Sequence, residues 1–165
     1  MSNVFLKRLT ICDEEPVFQM LQNIGNNENE FKNPVKGMSY IEFKLWLKQQ
    51  DAWSRGENLP DGYVEQTVFW LYDGIIPVGV GKIRHKLTKS SRAVGGNIGY
   101  AISSEFRGKG YGCILLELLL KQTEVMNIKE RLLTVEKNNF ASKRVVEKNG
   151  GRLIKENDNR WYFEF

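Results

Sequence analysis

The stretch of this sequence best suited to chemistry is residues 107–112, Arg-Gly-Lys-Gly-Tyr-Gly, where every second residue is glycine. Alternating glycines let the backbone bend tightly and direct several N–H groups toward one point. A helix that starts here adds unpaired N–H donors and the positive end of its dipole. The stretch therefore predicts a binding site for a pyrophosphate, with Arg107 and Lys109 adding charge at its rim.

Two common phosphate-binding motifs do not match this loop. A Walker loop requires Ser or Thr after its Gly-Lys pair, but Gly110 follows Lys109 here. The dinucleotide fingerprint spaces its glycines G-x-G-x-x-G, which is not the alternation found at 107–112. A glycine-rich turn that binds no ligand is the structural alternative. The flanking strand and the leucine-rich helix favour the phosphate site.

The elements around the loop follow from hydrophobic periodicity. Residues 97–103 alternate as a strand, with Ile98, Tyr100 and Ile102 on one face, and a helix is predicted from about 110 to 126. Downstream, the pattern predicts a strand, a helix and two final strands, at 131–136, 139–148, 152–156 and 160–165.

The front of the chain adds further elements. A strand is predicted at 4–9, followed by a helix that Asp13 can cap and by a second helix that opens with the capping box Ser39–Glu42. Residues 26–37, 51–62 and 88–96 are polar and are predicted as loops. The turn Asp73-Gly74 joins strands 66–72 and 78–87 as a hairpin. The whole chain, 1–165, is predicted to be one mixed α/β (α+β) domain.

Two motifs in this order resemble the GNAT superfamily of acetyl-CoA-dependent N-acetyltransferases. Residues 107–112 are similar to its (Arg/Gln)-x-x-Gly-x-(Gly/Ala) loop, and 139–150, NFASKRVVEKNG, to its N-x-x-S-x-x-(V/L)-x-E-K-x-G signature. The resemblance implies a single central, mostly antiparallel sheet of about six or seven strands with about four flanking helices. It also implies that the sheet splays apart between strands 97–103 and 131–136.

The resemblance further implies where acetyl-CoA lies. Its pantetheine arm is expected in the splay, and Asn139 and Ser142 are expected to face the pantetheine or the phosphate. Asn139 can equally be a helix cap. The residues expected to bind the cofactor are Tyr100, Ala101, Ile102, Arg107, Gly108, Lys109, Gly110, Tyr111, Gly112, Asn139 and Ser142.

The implied reaction is direct attack of a primary amine on acetyl-CoA in a ternary complex. Two positions depart from the usual family pattern, since Asn97 replaces a glutamate base and Val146 a tyrosine acid. His85 and Glu105 are the remaining candidates for the base, and Tyr100 and Tyr162 for the acid that protonates the thiolate. Members of the family generally transfer directly, so no nucleophilic role is assigned to Cys113.

The acceptor is expected to be a small-molecule or peptide amine. Glu28 and Glu30 could attract a cationic amine, or they could simply belong to a solvated loop. The missing base and acid leave a second hypothesis open, a non-catalytic regulatory module that binds CoA or another nucleotide.

Composition narrows the class of protein. With one histidine and two separated cysteines, no metal site is expected. The net charge of +4 is scattered along the chain, so nucleic acid is not an expected partner. No apolar run or leader suggests a membrane, so the expected location is cytoplasmic. The apolar strand Trp161-Tyr162-Phe163 could pair across a homodimer.

Overall fold

The computed structural model describes residues 3–165. Its strands are β1 Val4–Arg8, β2 Asn27–Glu28, β3 Phe31–Lys32, β4 Gln66–Asp73, β5 Ile76–Arg84, β6 Ile98–Ile102, β7 Leu132–Glu136, β8 Arg152–Glu156 and β9 Arg160–Glu164. Its α-helices are α1 Glu15–Gln22, α2 Tyr40–Ser54, α3 Lys89–Ala93, α4 Tyr111–Val125 and α5 Phe140–Lys148, and a 3₁₀ helix spans Ser104–Phe106.

The main sheet is antiparallel and splayed. Strands β1, β4, β5 and β6 form a four-stranded part in that order, and β7, β9 and β8 form a three-stranded part. Strands β2 and β3 make a small separate hairpin. The two parts meet at a single bridge between Gly96 and Leu133. Beside it, Asn97 N–H donates a hydrogen bond to Leu132 O at 2.9 Å. The mixed α/β fold and the splay between β6 and β7 are confirmed.

A small set of contacts holds the closed end of the splay. The buried side chain of Asn97 donates to Glu130 O at 2.7 Å and accepts from Leu132 N–H at 2.8 Å. Gly96 has φ +68°, and a β-carbon there would lie 2.0 Å from Leu132 O. Asn97 therefore satisfies backbone groups where regular pairing stops, which gives it a structural role.

Two apolar clusters lie on opposite faces of the sheet. One packs α1 and α2 against the sheet around Trp70 and Phe43, and the other packs α4 and α5 around Leu115 and Phe163. Helix α4 approaches β5 closely, because a β-carbon on Gly81 would lie 2.6 Å from Leu119. The absence of a side chain at Gly81 therefore lets α4 pack close to β5.

The start of α1 differs from the prediction. Its N-cap residue is Glu14, with no side-chain cap bond, so the expected cap by Asp13 is wrong. Asp13 is instead buried and accepts from Thr10 N–H and Trp70 Nε1–H, both at 2.7 Å, and pairs with Lys7. A buried carboxylate needs several donors, and these lie inward from the helix end.

Two predicted loops contain short regular segments. Residues 26–37 include the hairpin of β2 and β3, and 88–96 include α3, which opens with a capping box between Thr88 and Ser91. Strand β5 ends at Arg84 rather than at residue 87. The local turn chemistry of Thr88 was the signal for α3.

The C-terminal strand is an interior one. Strand β9 pairs with β7 on one side and β8 on the other, and Trp161, Tyr162 and Phe163 are buried. Its backbone groups are therefore already used, and the expected route to a dimer through this strand is wrong. Over residues 3–165, none of the helices has the length and apolar character needed to cross a bilayer.

Candidate active site

A cleft of about 1450 Å³ follows the open edge of β6. At one end it is lined by the start of α4 and by α5, and at the other by the β2–β3 hairpin and the second half of α2. The residues expected to bind the cofactor lie around the first end, except that Lys109 does not line the cleft. The splay of the sheet creates this space, because β6 has no strand partner along that edge beyond the bridge at Gly96 within the described chain.

The glycine loop has the backbone geometry expected of a phosphate site. Gly108 and Gly110 have φ of +73° and +87°, a region that favours glycine. Gly110 is also the N-cap residue of α4, and the intrahelical bonds begin with Cys113 N–H to Gly110 O at 3.1 Å. The N–H groups of Tyr111 and Gly112 therefore stand at the helix start, where an anion is favoured.

The two cations of the loop make structural contacts. Arg107 Nε–H donates to Ile102 O at 3.0 Å, and its guanidinium forms an ion pair with Glu28, with Nη2 to Oε2 at 2.8 Å. Lys109 Nζ donates to Glu105 O at 2.9 Å and lies over the ring of Phe106. Arg107 therefore ties the end of β6 to the β2–β3 hairpin, and Lys109 steadies the 3₁₀ helix.

The free edge of β6 presents alternate backbone groups to the cleft. Bonds from Ser103 N–H to Val78 O at 3.0 Å and from Arg84 N–H to Asn97 O at 2.8 Å fix its register with β5. In an antiparallel ladder the backbone groups of successive residues alternate in direction, so those of Ala101 face β5. The N–H groups of Tyr100 and Ile102 then face the cleft, where an extended ligand or a developing oxyanion could accept from them.

Tyr100 links the strand to α5. Its hydroxyl lies 2.9 Å from Ser142 Oγ, and burial raises the pKa of Tyr100 to about 12. Ser142 N–H in turn donates to Asn139 Oδ1 at 3.1 Å, which confirms Asn139 as the cap of α5. Tyr100 is therefore held protonated at neutral pH, beside both signature helices.

Three other predicted catalytic residues lie elsewhere. His85 Nε2 is 2.8 Å from Thr67 Oγ1, and His85 lines a separate cavity of about 540 Å³, where burial lowers its pKa. Glu105 accepts from Asn23 Nδ2 at 2.7 Å, and Tyr162 donates to Ala93 O at 3.0 Å. None of the three is among the described residues that line the main cleft.

Two cations at the far end of the cleft were not predicted from the sequence. Lys82 and Arg84 lie on β5, and both line the cleft. Lys82 Nζ donates to Lys32 O at 2.6 Å and lies 4.5 Å from the ring centre of Phe31. Burial, with the nearby charges of Arg84 and Lys32, lowers the pKa of Lys82 to about 7. The alternation of Val80, Lys82 and Arg84 was the available signal, since it predicts one shared face.

The β2–β3 hairpin is held over the cleft by two ion pairs. Glu28 pairs with Arg107, and Glu30 pairs with Arg160, whose Nη2 lies 2.6 Å from Glu30 Oε1. Hydrogen bonds from these arginines hold the pKa of each carboxyl below its usual range. The expectation that Glu28 and Glu30 belong to a solvated loop is wrong, because both are engaged in clamping the hairpin.

Both cysteines are free thiols. Cys113 is half-buried in the first turn of α4, and Cys12 is exposed. Among residues 3–165, no three His, Cys, Asp or Glu side chains cluster in a way that could hold a metal ion.

Three solved structures of similar fold are described as N-acetyltransferases. RimL, the ribosomal L7/L12 alpha-N-protein acetyltransferase in complex with coenzyme A, aligns with a TM-score of 0.74 at 14% identity, covering 100% of this chain and 94% of RimL. PseH of Campylobacter jejuni with acetyl coenzyme A gives 0.59 at 17%, covering 99% and 98%. Mutant forms of the spermidine/spermine N-acetyltransferase SpeG from Vibrio cholerae give 0.63 at 16%, covering 98% and 95%.

The sequence itself establishes the family. The family model described as "Acetyltransferase (GNAT) domain" matches residues 3–152, most of the chain. This chain therefore belongs to the GNAT family of acetyltransferases. No curated protein sequence matches it significantly.

Proposed function

We propose that this protein transfers the acetyl group of acetyl-CoA to a primary amine by direct attack within a ternary complex. The observation that carries the proposal is the free edge of β6 running into the glycine loop, with the Tyr100 hydroxyl beside it. Membership of an acetyltransferase family and neighbours solved with CoA or acetyl-CoA support it.

The cofactor would lie along β6 with its diphosphate at the start of α4. The N–H groups of Tyr111 and Gly112 would contact the diphosphate, within the loop formed by Arg107, Gly108, Lys109 and Gly110. The pantetheine would run past Ala101, whose backbone groups face β5, and pair with the free edge groups of Tyr100 and Ile102, in reach of Asn139 and Ser142. Alignment of the two reactants would then supply a large part of the acceleration.

The chemical step forms one C–N bond and breaks one C–S bond. The neutral amine attacks the thioester carbon, and an N–H of Tyr100 or Ile102 stabilises the oxyanion. The departing thiolate takes the proton of the Tyr100 hydroxyl, and the proton lost by the amine returns through Ser142 or water to Tyr100. The products are the N-acetyl amide and CoA with a free thiol.

The base roles of His85 and Glu105 stay predictions, and their placements disfavour them. His85 lines the separate cavity, and Glu105 is bonded to Asn23. An amine that binds in its neutral form needs no side-chain base, provided that the released proton can leave by way of Tyr100.

A thiol-release assay with acetyl-CoA and a panel of amines tests the proposal. We expect CoA release that depends on the amine, with one acetyl group added to the acceptor by mass spectrometry. The alternative, a non-catalytic CoA-binding regulatory module, predicts CoA binding without turnover across the panel. A cytoplasmic location is part of the same proposal.

A further inference from the structure

The end of the cleft opposite the glycine loop has a cationic floor. Strand β5 alternates, so that Val80 packs in the α1–α2 cluster, whereas a β-carbon on Gly81 would point at Leu119 of α4. Lys82 and Arg84 share the face of Val80. They therefore line the cleft on the α2 side of the sheet, away from the face where Tyr100 meets α5.

These two cations lack a carboxylate partner. Within residues 3–165, neither Lys82 nor Arg84 forms a salt bridge, and Glu28 and Glu30 are the acidic residues that line the cleft. Glu28 is paired with Arg107, and Glu30 is paired with Arg160, which does not line the cleft. Lys82 and Arg84 therefore give this end of the cleft a positive charge that no carboxylate of the described residues balances.

The polar contacts of the two cations leave donors available. Arg84 Nη1 donates to Gly96 O at 2.9 Å, and Lys82 Nζ donates to Lys32 O. A guanidinium has five N–H donors and an ammonium three, so most remain for a ligand. Burying uncompensated charge costs free energy, and the mutual repulsion of the pair adds to that cost. An anion bound between them would remove both penalties.

We propose that the acceptor amine carries a carboxylate or phosphate group, which binds to Lys82 and Arg84 while its amino group reaches the thioester. This inference rests on the proposed function and adds a class of substrate to it. The side chains that α2 contributes to this end, among them Trp46, Gln50 and Trp53, are uncharged, and Lys32 of the hairpin adds a further cation to the cleft lining. A polyamine would place ammonium groups against like charges and is therefore disfavoured.

The ionisation of Lys82 gives the inference its own pH signature. The lowered pKa, about 7, means that free Lys82 is charged below that pH and neutral above it. Preference for an anionic acceptor over a matched uncharged one is then greatest below about pH 7 and declines as the pH rises. Well below the pKa of both acceptor amines, the neutral fraction of each member of a pair changes with pH in the same proportion, so the amines add a constant factor to the ratio and no pH dependence.

Matched acceptors test the inference. The pairs are β-alanine with β-alaninamide, and O-phosphoethanolamine with ethanolamine, with spermidine as a cationic probe. We expect at least one anionic member to exceed its uncharged partner by about tenfold or more in kcat/KM, since charge-assisted hydrogen bonds contribute strongly. The two pairs distinguish a carboxylate from a phosphate.

Variants show whether the preference comes from these residues. Lys82→Gln and Arg84→Gln should each reduce the ratio toward one, and Lys82→Arg should keep the ratio but remove its dependence on pH. Lys121→Gln is the control, because Lys121 is exposed and pairs with Glu117 on α4. Circular dichroism and CoA affinity confirm that each variant is folded.

Calorimetry on the CoA-saturated protein with the same pairs separates the two proposals. Binding of an anionic acceptor without CoA release contradicts the proposed function but supports anion binding by Lys82 and Arg84. CoA release at equal kcat/KM within both pairs, or fastest with spermidine, overturns that anion binding alone. Neither binding nor release with any probe counts against both.

Discussion

In the proposed chemical step, Tyr100 is the side chain with the largest part. It is a strand residue, yet its hydroxyl contacts Ser142 of α5 and its ring passes 3.8 Å from where a β-carbon of Gly112 would lie. A β-carbon at 112 would make an ordinary van der Waals contact with that ring. Val146 stands on α5 where the family resemblance implies a tyrosine, and its side chain is fully buried. A tyrosine from β6 can therefore take a role that α5 does not supply.

Replacing Tyr100 with Phe should lower kcat by about 100-fold, because the thiolate would lose its proton donor. The KM for acetyl-CoA should change little, since the binding contacts are backbone groups. Steady-state kinetics by thiol release measures both values. Tyr162→Phe is the matched control, because that hydroxyl donates to Ala93 O away from the cleft. Full turnover in Tyr100→Phe would remove this tyrosine from the mechanism.

His85→Ala should leave kcat within about twofold of the parent and leave the pH profile unchanged. The reason is position, since His85 contacts Thr67 beside a cavity separate from the cleft. The comparison is a pH–rate profile of the two proteins. Loss of the acidic limb of that profile in the variant would instead restore His85 as the base.

At the level of elements, the start of α4 and the β2–β3 hairpin form the two ends of the cleft. The start of α4 depends on a backbone conformation that glycine adopts without strain. The hairpin depends on ion pairs contributed by Arg107 and Arg160, which are distant in sequence. The conformation at the start of α4 is therefore sensitive to added side chains, and the stability of the hairpin is sensitive to pH.

Gly110→Ala should weaken CoA binding by about tenfold or more, because alanine at a positive φ costs about 1–3 kcal/mol and shifts the donors of the helix start. Gly37→Ala is a matched control, since Gly37 has φ +86° against +87° for Gly110, does not line the cleft and has open space around it. Both variants should lose stability by thermal melting, but only Gly110→Ala should lose CoA affinity by calorimetry. Equal affinity in the two would contradict the assigned phosphate site.

Glu30→Gln should lower Tm at neutral pH by roughly 2–4 °C, for a lost ion pair of about 1 kcal/mol. Arg160 lowers the pKa of Glu30 in the folded protein, so the stabilisation is present above the unfolded pKa and is lost as pH falls through the folded pKa. The melting curves of parent and variant should therefore converge as the pH falls through the lowered pKa of Glu30. Glu117→Gln, in an exposed pair, should show little difference at any pH.

At the scale of the whole molecule, the features that were predictable are the local ones. The glycine loop, the cap at Asn139 and the strand that precedes the loop depend on neighbouring residues, and their motifs predicted the family. The splay was predicted through the family resemblance. Its physical basis, the tight approach of Gly96 to Leu132, is a tertiary contact that no local pattern reveals.

The features that were missed depend on which face of the sheet a residue occupies. Lys82 and Arg84 are charged residues in a strand, which single-sequence patterns assign to solvent, yet they line the cleft. His85 follows them by one position and lies at another cavity. Asp13 precedes a helix as a cap residue would, but Trp70, far along the chain, supplies a better donor for it. Partners distant in sequence decided each of these outcomes.

In the proposed complex, backbone amides at the start of α4 hold the diphosphate of CoA. Isothermal titration of the purified protein with CoA and with acetyl-CoA measures this binding. We expect a saturable heat for both ligands at about one site per chain, with weaker binding in Gly110→Ala. An absence of any binding heat with either ligand, from a protein that melts cooperatively, would contradict it.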